Sequence, residues 1–251
     1  MAPDVVKRRK DNARSSDPAA PQGVGKRPAN NGMSERRALI LEAAMRRFAD
    51  FGFEATTVRE IGQDMNILSG SLYHHFATKD EMLHEIVRDA VVQLRNNAMR
   101  ISRAPLDAEH RLVALILLDL GEITRNQKVH AILTNERRLF RQKDEFAYVL
   151  KAKKETYQAW RTVLQDGINT QLFKPDIDVF LTILTIIRML NTAADWYMND
   201  DAYVSGKGSN YELDQVIDFH IDFILSAIRI PARTAEPIPR RQAGELAAFR
   251  D

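Results

Sequence analysis

The sequence predicts an all-α protein between two irregular tails, and three observations support this fold class. Seven of the nine prolines lie outside residues 34–230, four before this segment and three after it. Proline is poorly tolerated inside helices, so the segment between them is suited to a helical body. Apolar residues inside it recur at spacings of three and four, whereas no stretch sustains the period-two alternation typical of a strand. We therefore expect helices and no sheet.

The composition is that of a globular chain and excludes several kinds of site. Apolar residues make up 45% and charged residues 28% of the 251 residues, which is ordinary for a soluble domain. The chain has no cysteine, so disulfides, thiolate nucleophiles and cysteine-ligated metals are excluded. The N-terminus is charged where a signal peptide needs an apolar core, and no uncharged apolar run approaches the roughly 18 residues that span a bilayer. We expect a cytoplasmic protein.

Both tails are predicted to be disordered. Residues 1–33 are rich in Ala, Gly, Asn and Ser without an apolar period, and residues 231–251 contain the last three prolines. Seven Lys and Arg against three Asp give the first tail a net charge of +4. A solvated extension and a basic arm that adds phosphate contacts both fit this charge.

Capping signals divide the beginning of the helical body into short helices. Ser34 is expected to cap a first helix that Gly52 ends, because a residue at that position usually has a positive φ. Thr57 and Glu60 form a T-x-x-E capping box that starts a second helix. Asn66 then suits a tight turn, since Asn tolerates the left-handed region. A short helix, a tight turn and another short helix make a helix-turn-helix, whose second helix can enter a DNA major groove.

The stretch LSGSLYHHF, which begins at Leu68, is predicted to form that second helix. Leu72 and Phe76 lie four residues apart and are expected to face the core. Because Leu68 cannot cap a helix, Ser69 is expected to serve as the cap or as a phosphate ligand. Small, hydroxyl and aromatic side chains on the other side suit phosphate oxygens and base edges, and a preceding arginine can add a guanidinium. These candidate DNA contacts are Arg59, Ser69, Gly70, Ser71, Tyr73 and His74.

The net charge of the predicted DNA-binding segment does not favour DNA binding. Residues 34–80 contain six Lys and Arg against seven Asp and Glu, a net charge of −1. DNA-binding domains usually present a basic face. Either the cations cluster on the docking face, or the basic tail supplies the missing charge.

The sequence TTVREIGQDMNILSGSLYHHFATKDEML resembles the DNA-binding region of TetR-family transcriptional regulators. The matching positions are Thr57, Ile61, Gly70, Leu72, Tyr73, His75, Phe76, Lys79 and Leu83. In that family the third helix and the residue at Arg59 contact DNA, and the lysine at Lys79 holds a phosphate from the start of helix four. The resemblance therefore implies DNA contacts for Arg59, for Lys79 and for the exposed residues of the recognition segment 69–75.

The remaining body is predicted to form a larger helical domain. Pro105 interrupts the pattern after a long fourth helix. Five further helical patterns follow, near 108–125, 128–134, 136–168, 176–199 and 212–229. The expected architecture is about nine helices, with a helix-turn-helix DNA-binding domain at 34–80 and an effector-binding and dimerisation domain at 81–230.

The last two predicted helices are apolar on two faces, and a helix of this kind must bury both. One face can pack inside the domain, and the other most simply meets a second copy of the chain. The resemblance implies the same, because TetR-family dimers pair through their last two long helices. A fully internal burial of both faces is the alternative. The expected interface residues are Ile183, Ile186, Leu190, Ile217, Ile221, Ile224 and Ile228.

The resemblance also implies a small-molecule effector bound within the larger domain, and no cofactor. Each candidate lining residue is more simply explained as a plain core position: Met99, Leu115, Leu118, Phe140, Trp160, Leu184, Arg188, Asn191, Trp196 and Tyr197. The segment LNTAADWY resembles a pattern of the acyl-CoA-responsive, lipid- or steroid-catabolism branch. A basic run either holds the phosphates of a CoA thioester or forms a solvated face: Arg137, Arg138, Arg141, Lys143, Lys151, Lys153 and Lys154.

No catalytic or metal-binding constellation accompanies these features. His74 and His75 are adjacent in a predicted helix and therefore diverge, and no H-x-x-x-H spacing occurs. The sequence thus predicts a non-enzymatic, dimeric and ligand-responsive regulator, most simply a repressor of a palindromic operator on double-stranded DNA. A helical protein-interaction module, and an activator or multidrug-sensing regulator of the same family, are the alternatives.

Overall fold

A computed structural model describes residues 29–198 and 211–231, so most of both predicted tails lies outside the described residues. These residues form ten α-helices and no strand, which confirms the all-α fold class. The helices are α1 Ala29–Phe51, α2 Val58–Asp64, α3 Ser69–Tyr73, α4 Lys79–Ser102, α5 Ala108–Arg125, α6 Gln127–Asn135, α7 Arg137–Gln142, α8 Ala147–Asn169, α9 Val179–Met198 and α10 Leu213–Ile228. None of the described helices is long and apolar enough to cross a membrane.

The end of α1 and the start of α2 have the expected capping residues, but α1 begins earlier than predicted. α1 starts at Ala29, so Ser34 lies inside the helix and the prediction that it caps α1 is wrong. Gly52 ends α1 with a φ of 86°. The Thr57 hydroxyl accepts the backbone N–H of Glu60, and the Glu60 carboxylate accepts the N–H of Thr57 at 2.8 Å, so the capping box forms as predicted.

The turn between α2 and α3 depends on Asn66, which has a positive φ, and on Gly62, which has no side chain. Asn66 adopts a φ of 54°, a left-handed conformation that Asn tolerates. A Cβ at Gly62 would lie 2.9 Å from the carbonyl oxygen of Ile67, so the close approach of the two helices requires glycine there. Leu68 occupies the N-cap position without a side-chain cap, and Ser69 is the first helical residue. The prediction that Ser69 caps α3 is therefore wrong, because the chain turns into the helix at Leu68.

Two hydrophobic clusters fill the molecule. The first joins α1–α3 and the beginning of α4 to α6, α7 and the beginning of α8. The second lies among the end of α4, α5, α8, α9 and α10. α4 contributes to both clusters, so the predicted division between residues 80 and 81 falls inside one continuous helix. Movement of α4 therefore affects both halves.

The predicted helix at 136–168 is broken, which raises the number of described helices from about nine to ten. Lys143 is extended, with φ −108° and ψ 120°, and a single 3₁₀ turn at Asp144–Phe146 follows it. The break allows the rings of Phe140 and Phe146 to meet edge to face, 5.4 Å apart, inside the first cluster. It also brings the Lys143 ammonium onto the Asp80 carboxylate at the start of α4.

The predicted dimer contacts on α9 and α10 face inwards. Six of them are buried in the second cluster and the seventh, Ile217, is half-buried against it. The buried six are Ile183, Ile186, Leu190, Ile221, Ile224 and Ile228. The exposed apolar face lies on the opposite side and consists of Phe180, Leu181, Leu184, Phe219 and Phe223. The sequence identified two-faced helices correctly, but the assignment of their faces is wrong, because both faces are apolar and periodicity alone does not distinguish them.

Candidate DNA-binding surface and effector cavity

The exposed side of α2 and α3 carries the residues that the sequence predicts to contact DNA. Tyr73 is 55% exposed; Arg59, Ser71 and His74 are also exposed, while Ser69 is half-buried. A Cβ at Gly70 would meet nothing within 4 Å, so the protein's own packing does not require glycine at this position. A small residue here leaves room for the close approach of another molecule.

The other side of α3 is fixed to the core. Leu72 and Phe76 are buried in the first cluster, as their spacing predicts. The guanidinium of Arg37 on α1 lies 3.9 Å from the centre of the Phe76 ring and donates a hydrogen bond to the carbonyl oxygen of His75. It also bonds the Glu85 carboxylate on α4. α3 is therefore held by apolar packing and by an arginine that joins three helices.

Lys79, for which the resemblance implies a phosphate contact, also bonds the protein itself. Its ammonium group donates to the carbonyl oxygens of Phe53 at 2.6 Å and Thr56 at 2.8 Å. It also lies 4.2 Å from the centre of the Phe53 ring. An ammonium group has three protons, so one remains for a phosphate after these two bonds. Lys79 thus secures the loop between α1 and α2 whether or not it reaches DNA.

Acidic residues of this region are neutralised by arginines of α1. Arg47 makes two hydrogen bonds of 2.7 Å to the Asp64 carboxylate, and this pairing lowers the pKa of Asp64. Arg46 bonds Glu42 at 2.8 Å. Among the described residues, Arg59 takes part in no hydrogen bond or ion pair, so its guanidinium is available on the surface at the start of α2. The ion pairs leave the net charge of −1 unchanged, but they occupy Asp64 and Glu42 while the guanidinium of Arg59 stays unpaired.

A hydrogen bond connects the DNA-binding region to the larger domain. Glu136, between α6 and α7, accepts the backbone N–H of Phe53 at 2.8 Å. Phe53 follows the Gly52 turn that ends α1, and its side chain is buried in the first cluster. Helix α6 thus reaches the loop between α1 and α2 directly.

Helix α6 also forms one wall of a cavity of about 110 Å³ in the larger domain. Side chains from α4, α5, α6, α8 and α9 line it, and its walls are mainly apolar with a few polar groups. These residues are Ala90, Val91, Leu94, Asp119, Glu122, Ile123, Asn126, Val129, His130, Leu133, Thr156 and Asn191. We call this space the α6 cavity.

Of the predicted effector contacts whose side chains are described, Asn191 alone lines the α6 cavity. Leu115, Leu118 and Trp160 are fully buried core residues, and Met99 packs against the same core. The remaining predicted residues lie elsewhere. Phe140 is in the first cluster, Leu184 and Arg188 line an outer cleft with Phe219, and the side chains of Trp196 and Tyr197 lie outside the described residues.

Asp119 is the cavity residue that the sequence prediction missed. Only 8% of it is exposed, and burial, followed by the nearby Glu122 carboxylate, raises the pKa of its carboxyl group to about 7. Its signal in the sequence is an acidic residue at the end of the apolar run LVALILLDL. A buried carboxyl with a strongly raised pKa in a cavity is typical of a functional position.

Lys153 lies beside the cavity, and three arginines lie close enough to it to act on its charge. The ammonium group of Lys153 on α8 is 3.3 Å from the carbonyl oxygen of Leu133, a cavity residue. Although Lys153 is exposed overall, desolvation of the ammonium group lowers its pKa, and repulsion from Arg137, Arg141 and Arg188 lowers it further. We call these four residues the cationic cluster. No carboxylate pairs with them among the described residues, so the cluster can accept an anion.

Comparisons with known proteins cover both halves of this architecture. A model of "Bacterial regulatory proteins, tetR family" matches residues 40–86, and one of "Tetracyclin repressor-like, C-terminal domain" matches residues 105–228. The HTH-type transcriptional repressor KstR2 of Rhodococcus jostii is 31% identical over 201 residues, which cover 80% of this chain and 95% of that protein. KstR2 of Mycobacterium tuberculosis is 33% identical over 165 residues, covering 66% of this chain and 82% of that one.

A solved structure agrees with these similarities. The ketosteroid transcriptional regulator KstR2 of Mycobacterium tuberculosis superposes with a TM-score of 0.69 at 31% identity, over 78% of this chain and 95% of that one. The resemblance seen in the motif at the recognition helix is thereby confirmed along the chain. With a helix-turn-helix at the N-terminal end of a larger helical domain, and with similarity over both, the chain belongs to the tetR family of bacterial regulatory proteins.

Proposed function

We propose that this chain is a dimeric, ligand-responsive transcriptional repressor that reads a palindromic operator through segment 69–75. The observation that carries the proposal is the exposed side of α3, where Tyr73 and Ser71 project beside Gly70 while Leu72 is anchored in the core. Small and hydroxyl residues at the start of a helix suit phosphate oxygens and base edges. Relatives named as repressors favour repression over activation.

The second copy is proposed to pack on the exposed apolar face of α9 and α10. Phe219 is 63% exposed and stacks on Phe223 with ring centres 5.9 Å apart. Leu184 on α9 is 40% exposed. Contiguous large apolar residues are costly to leave in water and typically mark an interface. A two-fold dimer would place two copies of α3 on successive turns of DNA.

A fluorescence-anisotropy titration on DNA from upstream of the gene tests the DNA-binding role. Arg59→Ala combined with Tyr73→Ala should abolish binding, and Arg59→Ala alone should reduce the slope of log affinity against log salt by about one. Arg161→Ala is the matched control, since Arg161 is an exposed arginine of α8 and lies far along the chain from α3. Binding by the double variant at wild-type affinity would overturn the assignment of α3.

The effector is proposed to be an acyl-CoA thioester or a related amphipathic anion. The α6 cavity offers mainly apolar walls for the acyl end, and the cationic cluster beside it offers positive charge for phosphates. Arginine and lysine bind phosphate through charge-assisted hydrogen bonds. Similarity to a ketosteroid regulator favours a cyclic, sterol-derived acyl group over a linear chain.

Release of operator DNA tests this effector class. A panel of free CoA, linear acyl-CoAs and cyclic acyl-CoAs is titrated into the complex of the chain with its operator. Only thioesters should release the DNA, and Arg141→Glu with Lys153→Glu should weaken release at least about tenfold while operator binding stays intact. Release by free fatty acids or neutral drugs, with no response to any thioester, would contradict the proposal.

A further inference from the structure

One carboxyl group in the wall of the α6 cavity has no protein partner. Asp119 of α5 is more than nine-tenths buried and borders the cavity. Among the described residues, no hydrogen bond or ion pair reaches its side chain. Buried polar groups in folded proteins are nearly always paired, because an unpaired one loses its water without compensation. The Asp119 oxygens are not among the fully enclosed, unpaired side-chain atoms of the described residues, so they open into the cavity that Asp119 lines, and their partner is sought there.

The surroundings of Asp119 disfavour a charge on its carboxyl group and on any group that contacts it in the cavity. Val91 and Leu94 of α4 and Ile123 of α5 are apolar walls. Glu122, the nearest acid, already bonds the Arg125 guanidinium at 2.7 Å and the Asn126 amide at 3.1 Å. An ion brought into such a space gives up hydration that these walls do not replace. The group that faces Asp119 should accordingly be polar and uncharged.

We propose that Asp119 determines effector specificity by hydrogen bonding an uncharged carbonyl or hydroxyl group on the apolar end of the molecule. This inference rests on the proposed function, because it assigns the α6 cavity to the effector. A neutral carboxyl group donates its proton to a carbonyl oxygen and accepts the proton of a hydroxyl. Burial raises its pKa to about 7, so the neutral form is well populated near neutral pH.

The size of the cavity limits what Asp119 can recognise. Its volume of about 110 Å³ is below the roughly 150 Å³ of an engineered cavity that takes benzene, and below the roughly 300 Å³ at which drug-sized pockets begin. One small ring or a short branch therefore fits, and the rest of the effector extends outwards. Asn191 of α9 and Thr156 of α8, which also border the cavity, supply further polar contacts at its rim.

Four cyclopentane derivatives test the assignment without knowledge of the natural effector. Cyclopentanone, cyclopentanol, cyclopentanecarboxylate and cyclopentylamine are titrated into the full chain by NMR at about pH 6 and about pH 8.5. At the lower pH, the ketone and the alcohol should bind at least about tenfold more tightly than either charged compound. Affinity for the ketone should fall roughly 30-fold at the higher pH, because only the protonated fraction of Asp119 donates.

Substitutions at Asp119 and at a neighbouring residue test whether Asp119 is the group that binds the ketone and gives the pH dependence. Asp119→Asn keeps an N–H donor, so it should bind the ketone with equal affinity at both pH values, whereas Asp119→Leu should lose the ketone. Among the residues whose side chains are described, Glu122 on the same helix and His130 on α6 are the other titratable cavity residues, and those from α4, α8 and α9 are uncharged. His130→Gln should therefore keep the wild-type pH dependence.

Three results would overturn the assignment. They are tighter binding of the amine than of the ketone, a pH dependence that persists in Asp119→Asn, and no binding of the ketone or alcohol to the wild type at about pH 6. Operator affinity is measured on the same samples. A wild-type chain that binds the ketone but no operator DNA would contradict the proposed function alone, because fragment binding is recorded without DNA.

Discussion

The hydrogen bond from the Phe53 N–H to Glu136 leads to a sharp test of the contact between the two halves of the chain. The donor and acceptor atoms are 2.8 Å apart, and Phe53 is buried. Removing the acceptor with Glu136→Leu leaves a buried N–H unpaired, which costs about 1–3 kcal/mol. This cost corresponds to a roughly 5- to 150-fold faster exchange of the Phe53 amide hydrogen, if that amide exchanges by local opening.

Hydrogen exchange followed by NMR measures this effect at the single amide. Glu136→Gln retains a carbonyl acceptor of similar length and should accelerate exchange several-fold less than Glu136→Leu. Glu145→Leu is the control, because Glu145 is exposed and only approaches Lys143 at 3.9 Å, a pair worth little. If Glu136→Leu left exchange at Phe53 unchanged, Glu136 would not hold the loop between α1 and α2, and the direct connection from α6 would be refuted.

Three further predictions follow from packing and burial. Gly167→Ala should lower Tm by about 2–12 °C in a thermal melt, because its Cβ would lie 2.0 Å from the Phe173 ring; an unchanged Tm would contradict this. Leu184→Glu should sediment as a folded monomer, whereas Ile186→Glu should unfold the chain; a dimeric Leu184→Glu protein would refute the outer interface. The pKa of Asp119 is raised to about 7 in the folded state, so the free energy of unfolding should fall as pH rises. Measured by urea unfolding, it should fall by on the order of 3 kcal/mol more in the wild type than in Asp119→Asn between about pH 5 and pH 8. The same dependence of the unfolding free energy on pH in both proteins would contradict this.

The helix-turn-helix was predictable because its determinants are local. The capping box of Thr57 and Glu60 and the positive φ of Asn66 and Gly52 each depend on residues within a few positions. Local interactions of this kind act identically in any fold that contains the segment. The start of α1 was missed although Ser34 is a good capping residue, because the helix continues to Ala29 through two Asn and a Gly, which are poor helix formers.

The interface face and the cavity were not predictable because they depend on contacts between distant segments. Ile183 and Leu184 are adjacent, and both are apolar, yet one is buried and the other is 40% exposed. Only the position of α5 and α10 against α9 decides which face of α9 is covered. The cavity likewise arises where five helices fail to fill the space around Asp119. An acid at the end of an apolar run indicates a buried carboxyl, but not what lies opposite it.

Charge placement, rather than charge total, decides whether α2 and α3 can meet a polyanion. Arg37 and Arg47 of α1 form ion pairs with carboxylates of α4 and α2, so these acidic groups repel a nearby phosphate less. The guanidinium groups of Arg36 and Arg59 take part in no hydrogen bond or ion pair among the described residues, and the first turn of α3 contains no acidic residue. Electrostatic attraction falls off within about 8–10 Å at physiological salt, so a phosphate at α3 responds to these nearby groups and not to the sum over the domain. A net charge of −1 is therefore compatible with binding DNA, and the salt dependence of binding should reflect the cations near α3 rather than the charge summed over the domain.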